Sequence, residues 1–132
     1  MEILDRAEGE RRRDAALTLL SERRAAVIRA GQRALLLKLL DAGTATADDV
    51  RAAVPLPPGI GPRCYGAVPL PLLDAAIIAH AGYRVCERPE AHARPVTVWA
   101  LADRAAALAW LAAHPLLPNP EPATPAQMTL WD

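Results

Sequence analysis

The chain has no phenylalanine, and its aromatic residues amount to three tryptophans and two tyrosines. Whatever core it forms is therefore built from small aliphatic side chains, chiefly Leu, Val, Ile and Ala. Excess charge of either sign is also missing: 15 basic residues meet 15 acidic ones, for a formal net charge of zero. A dedicated nucleic-acid binder is more often basic, so that balance argues against strong non-specific DNA affinity. Cys64 and Cys86 are the only cysteines, and no further thiol or paired histidine completes a zinc pattern. No histidine has an evident metal or catalytic partner in sequence, and nothing prompts a disulfide. No signal peptide is visible, and no apolar run approaches the roughly 18 residues of a membrane span. A cytoplasmic protein with reduced thiols is the expectation. A Ser/His/Asp set and a glycine-rich phosphate loop are absent too, so neither an enzyme nor a cofactor is expected.

What is present is an apolar fraction of 52% in 132 residues, enough for one small domain plus extensions. Residues 1–30 read as a long charged helix, with Ala16, Leu17, Leu20, Val27 and Ile28 near helical spacing. Its Arg11, Arg12 and Arg13 read as a solvated face balanced by Glu8, Glu10 and Asp14. Gly31 is expected to separate this extension from a core helix over residues 32–42, where Leu35, Leu36, Leu39 and Leu40 form one broad face. Gly43 supplies the stop, because glycine takes a left-handed backbone cheaply. Thr46 with Asp48 and Asp49 marks a second helix start, its hydroxyl capping and its acids favouring the helix dipole. That helix buries Val50, Ala53 and Val54 and ends at Pro55. Residues 55–62, with four prolines and two glycines, form an extended, stiff loop.

Residues 63–79 come next. Pro69 and Pro71 fit only in a first helical turn. Either a helix starts near Pro69, or one starts near Pro62 and is bent; the favoured reading is a short turn at 63–67 and a helix over 69–78, with Leu70, Leu73, Ala76 and Ile77 as its apolar stripe. Residues 80–82 read as a turn. Residues 83–87 and 95–101 alternate as strands and make a hairpin around a polar, partly basic loop. Asp103 opens a helix over 104–114 with Ala107, Leu108 and Leu111 on its apolar side, and Pro115 stops it. Trp99 and Trp110 read as core residues. Five prolines between Pro115 and Pro125 then mark an extended linker with too little to bury to fold alone.

The fold class expected is mainly α with a small β-hairpin. The order helix, helix, loop, helix, two-stranded hairpin, helix over residues 31–114 resembles the winged helix-turn-helix family. The likeness is carried by the Leu-rich helix ending at Gly43, the Thr46 helix start and Gly66, Ala67 and Val68 entering the third helix. Ile77 and Ile78 before Gly82 and Tyr83, and Val98 and Trp99 in the second wing strand, complete it. Residues 1–30 are then an N-terminal helical extension and 115–132 a proline-rich tail. The resemblance implies a third helix in the major groove and a wing on backbone or minor groove of double-stranded DNA. It assigns Arg63, Tyr65, Arg84, Arg88, His92 and Arg94 as the DNA contacts. The third helix offers no Lys, Asn or Gln, and besides Arg63 its one charge is Asp74, so mostly backbone contact is expected. The alternative is a winged module for protein–protein contact or dimerisation without nucleic acid, with the N-terminal helix joining two copies.

The tail ends in Gln127, Met128, Thr129, Leu130, Trp131 and Asp132. This resembles the short motif by which bacterial and phage proteins dock on the replicative sliding clamp. The resemblance implies that Gln127, Met128, Leu130 and Trp131 hold that partner, with the linker supplying reach. The other reading is that Leu130 and Trp131 fold back onto an apolar patch.

Overall fold

The computed structural model describes residues 2–85 and 94–118. One helix, α1 (Glu2–Ala42), carries the domain. Up to Ala25 its described side chains are almost all exposed; from Ala26 onward it enters the core. Leu35, Leu36 and Leu39 are almost completely buried, each worth about 1.5–3 kcal/mol against exposure. The expected break at Gly31 does not occur. Gly31 lies inside the helix because the fold needs no side chain there: a Cβ would stand 2.8 Å from Val68 Cγ2 and 3.3 Å from Val50 Cγ1. Its missing side chain is a packing requirement of the helix and not a hinge. Gly43, at φ +84°, does end α1, its N–H donating to the Leu39 carbonyl at 2.8 Å.

A strand that the alternation did not announce follows at once, β1 (Thr44–Thr46). It is three residues long, too short for a periodic signal. α2 (Ala47–Ala53) starts where the cap predicts, and the Thr46 N–H donates to the Asp49 carboxylate at 2.8 Å. After the proline loop come a 3-10 helix at Pro62–Ala67 and α3 (Leu70–Asp74). The helix expected to reach residue 78 thus stops at Asp74. Ala76 takes the left-handed φ of 59°, the Ile77 N–H donates to the Leu72 carbonyl and the Ala76 N–H to that of Leu73, both at 3.0 Å. This is a Schellman cap. Ile77, read from its spacing as part of a helical stripe, is instead the apolar residue just past the cap, and both Ile77 and Leu72 belong to the core. Ala76 pays for that geometry in steric strain, so Ala76→Gly is expected to raise stability by about 0.5–1 kcal/mol in urea melts.

β2 (Ile78–Val85) and β3 (Pro95–Leu101) form an antiparallel ribbon, and β1 adds to β3, giving the order β1-β3-β2. The turn expected at 80–82 is a bulge in a continuous strand. His80 pairs with Trp99 and Tyr83 with Thr97, so Ala81 and Gly82 together oppose Val98. Gly82, at φ +108°, accommodates the extra residue. α4 (Arg104–Ala113) closes the domain with Asp103 as its cap, accepting from the Ala106 N–H at 2.9 Å.

The chain then runs back along α1. Arg33 donates to the carbonyls of Leu111 and His114, and Arg29 to that of Pro115, at 2.7–2.8 Å. These bonds satisfy carbonyls that the end of α4 leaves open. The described part of the chain is thus mostly helical with a small three-stranded antiparallel sheet, and none of its helices is long and apolar enough to cross a membrane.

Candidate nucleic-acid interface

The sheet register positions the ribbon. β1 pairs only with Val98–Ala100 of β3, through Thr46, Ala45 and Thr44. The segment in which Tyr83, Arg84 and Val85 pair with Thr97, Val96 and Pro95 therefore extends past β1 as two strands alone. Strand alternation puts Tyr83 and Val85 on one side of this projection and Arg84 on the other. All three are exposed, Tyr83 to 75%.

Between the ribbon and the helices lies a cleft of about 290 Å³. Val50 and Arg51 of α2, Tyr65 and Gly66 of the 3-10 helix, and Thr97 and Trp99 of β3 line it. Its floor is apolar and its one charged wall is Arg51. The Arg51 guanidinium lies over the Tyr65 ring, 4.7 Å from its centroid, a geometry in which cation and π face attract. Arg51 Nε is buried without a hydrogen-bond partner. A guanidinium N–H left in this state keeps a preference for an acceptor.

The residues expected to touch DNA separate into three groups. Arg63, Arg84 and Arg94 are exposed; none of them lines the cleft, and each neighbours a part of the chain that does. Arg63 is in the 3-10 helix, Arg94 directly precedes cleft-lining Pro95, and Arg84 pairs with cleft-lining Val96. Tyr65 is placed differently from that expectation. It is only 8% exposed, and its hydroxyl donates to the Val54 carbonyl at 2.7 Å. The tyrosine anchors the 3-10 helix to the end of α2 and supplies the platform for Arg51. Arg88 and His92 lie outside the described residues, as do Gln127, Met128, Leu130 and Trp131.

Two residues of this surface, Arg51 and Tyr83, were given no contact role by the sequence. Arg51 gave no signal, since its role depends on Tyr65 coming beneath it from a segment 14 residues later. Tyr83 did have one: it opens an alternating strand at a position whose neighbours in the ribbon leave it open. Trp99, by contrast, is the core residue expected, buried with its ring 4.6 Å from that of His80. Cys64 is a free, fully buried thiol. Among the described residues no cluster of histidine, cysteine or carboxylate side chains has the makings of a metal site.

Compared with protein-family models, with curated proteins and with solved structures, the chain matches none.

Proposed function

We propose that this chain is a small non-enzymatic DNA-associated accessory protein whose winged-helix domain grips duplex backbone. The observation that carries the reading is the element order α1-β1-α2, 3-10 and α3, then β2-β3, with β1 pairing only the base of the ribbon. Such an arrangement leaves a free two-stranded wing beside a helical segment, the two parts with which winged domains meet DNA. Arg63 on the helical side and Arg84 and Arg94 at the ribbon are the phosphate contacts, with Arg88 and His92, which follow β2 in sequence and lie outside the described residues, as further candidates. α3 has five residues, LPLLD, and none of the donors that read base edges. Backbone contact positions a protein without selecting a sequence, so little sequence preference follows. Fluorescence anisotropy with duplex DNA across a salt series tests this. Binding that strengthens as salt falls supports the reading; its absence even at low salt would sink it.

A second reading, a protein–protein module on the same fold, is favoured by the exposed apolar side chains of Tyr83, Val85 and Leu70. In that case changing Tyr83 and Val85 abolishes partner capture, while the arginine changes do nothing.

The tail is proposed to dock on a replicative sliding clamp through Gln127, Met128, Leu130 and Trp131, on the strength of its sequence motif. A peptide of residues 127–132 is expected to bind the clamp in calorimetric titration. The Leu130→Ala, Trp131→Ala double change is expected to remove the signal, since buried aromatic and aliphatic anchors dominate such short interfaces.

A further inference from the structure

We propose that the groove between α1 and the proline loop is the seat of the chain's own tail, with Leu130 and Trp131 as the inserted side chains. The groove, about 410 Å³, is lined by Ala26, Val27 and Ala30 of α1, by Val54 to Pro57, and by Leu116 and Leu117. Every one of these side chains is apolar. A second depression of about 330 Å³ continues it along α1, bounded by Glu22, Ala25, Leu117 and Pro118. Leu117 borders both. Leu116, at 64% exposure, is the largest apolar surface left open beside them. Volumes in this range take a group of drug size, and the first groove, with no charged or hydrogen-bonding side chain in its wall, selects an apolar occupant; Glu22 edges only the second depression.

The chain itself delivers one. Arg33 and Arg29 hold the carbonyls of His114 and Pro115 against α1, and the next three residues form groove wall. The tail thus departs from the groove's own rim at Pro118. Beyond it the large apolar residues are Met128, Leu130 and Trp131. Leu130 lies 12 residues after Pro118 (130 − 118), and that many residues can span up to roughly 37 Å at about 3.1 Å per residue. The groove's length along α1, from Glu22 to Ala30, is only about 12 Å at about 1.5 Å per residue. The linker therefore has slack to turn back, and closure entropy grows only logarithmically with loop length. Tethering makes the encounter intramolecular, at an effective concentration of millimolar order. No second molecule has that advantage. A seated tail also withholds Leu130 and Trp131 from any other partner, so groove and clamp compete for the same two side chains. This inference does not rest on DNA binding.

Methyl and amide NMR of the full chain tests it. Nuclear Overhauser contacts are expected between the Trp131 indole and the Val27, Leu56 and Leu117 side chains. Trp131→Ala should shift the signals of Ala26, Val27, Ala30 and Leu56 while leaving those of Leu36 and Leu72 in place. The paired change Leu116→Ser and Leu117→Glu alters the rim without entering the core, and should erase the same contacts. A folded chain that lacks the contacts, or whose groove signals ignore Trp131→Ala, overturns the proposal. So does a mixed sample, half of it carbon-labelled and half nitrogen-labelled, in which the contacts pass between molecules, because the occupant would then be a second copy. Trp131→Ala is expected to leave DNA affinity unchanged, so the two readings fail separately.

Discussion

Gly31→Leu is expected to destabilise the fold by about 3 kcal/mol, the upper part of the range for overpacking a close-packed core. The position offers no room: a bare Cβ already stands 2.8 Å from Val68 Cγ2 and 3.3 Å from Val50 Cγ1. Both neighbours are β-branched, stiff about their first side-chain torsion and almost fully buried. Gly31→Ala decides between two opposed effects. Helix propensity favours alanine by about 1 kcal/mol, whereas relieving the contact requires the backbone or Val68 to shift, at about 1–3 kcal/mol. The clash is the larger, so a net loss of about 1 kcal/mol is expected. Urea titration reads this as a lower midpoint at unchanged slope. Pairing Gly31→Ala with Val68→Ala should give a loss smaller than the sum of the two, because the removed methyls make the missing space. A Gly31→Ala chain more stable than the parent would show that α1 and the segment around Val68 do not approach this closely.

Replacing Arg63, Arg84 and Arg94 together by alanine is expected to flatten the salt dependence of DNA binding by about three in the slope of log affinity against log salt, since each phosphate contact contributes about 0.9. Most of the low-salt affinity should go with it. The chain has no excess positive charge to take over: its 15 basic residues are matched by 15 acidic ones. All three arginines are exposed and outside the core, so thermal stability should stay within about 0.5 kcal/mol of the parent. An unchanged slope with intact binding would move the contact surface elsewhere on the domain. Changes in affinity should be alike for unrelated duplex sequences, as expected when phosphates and not base edges are held.

Element types were legible in this chain wherever local chemistry speaks for itself. The Leu35, Leu36, Leu39 face, the Gly43 stop, the Thr46 and Asp103 starts and the second strand at 95–101 all stand where sequence reasoning places them. The misplacements share a cause. Leu73, Ala76 and Ile77 have helical spacing, yet α3 ends at Asp74 because Ile77 gains more by packing beside Leu72 than by extending a helix begun on two prolines. His80, Ala81 and Gly82 have turn composition, yet pairing with β3 holds them in a strand and turns the excess residue into a bulge. β1 owes its existence to β3, since three residues make no strand without a neighbour. Around the cleft, the exposure of Arg63, Arg84 and Arg94 agrees with their polar sequence setting, while the burial of Tyr65 and the placing of Arg51 above it were not legible.

The sequence by itself determined most of the helical segments and several of their ends, that the core is largely aliphatic, and that the chain carries no net charge. Those properties are set within a few residues of chain, by caps, prolines and periodicity. Tertiary structure decided that Gly31 is a contact point inside one long helix and that the sheet has three strands. It also decided that the ribbon projects beyond β1 and that an apolar groove opens where the tail departs. Each of these depends on which surfaces meet across long stretches of sequence, and Gly31 against Val68 is the plainest case: the glycine is required by a side chain 37 residues away (68 − 31).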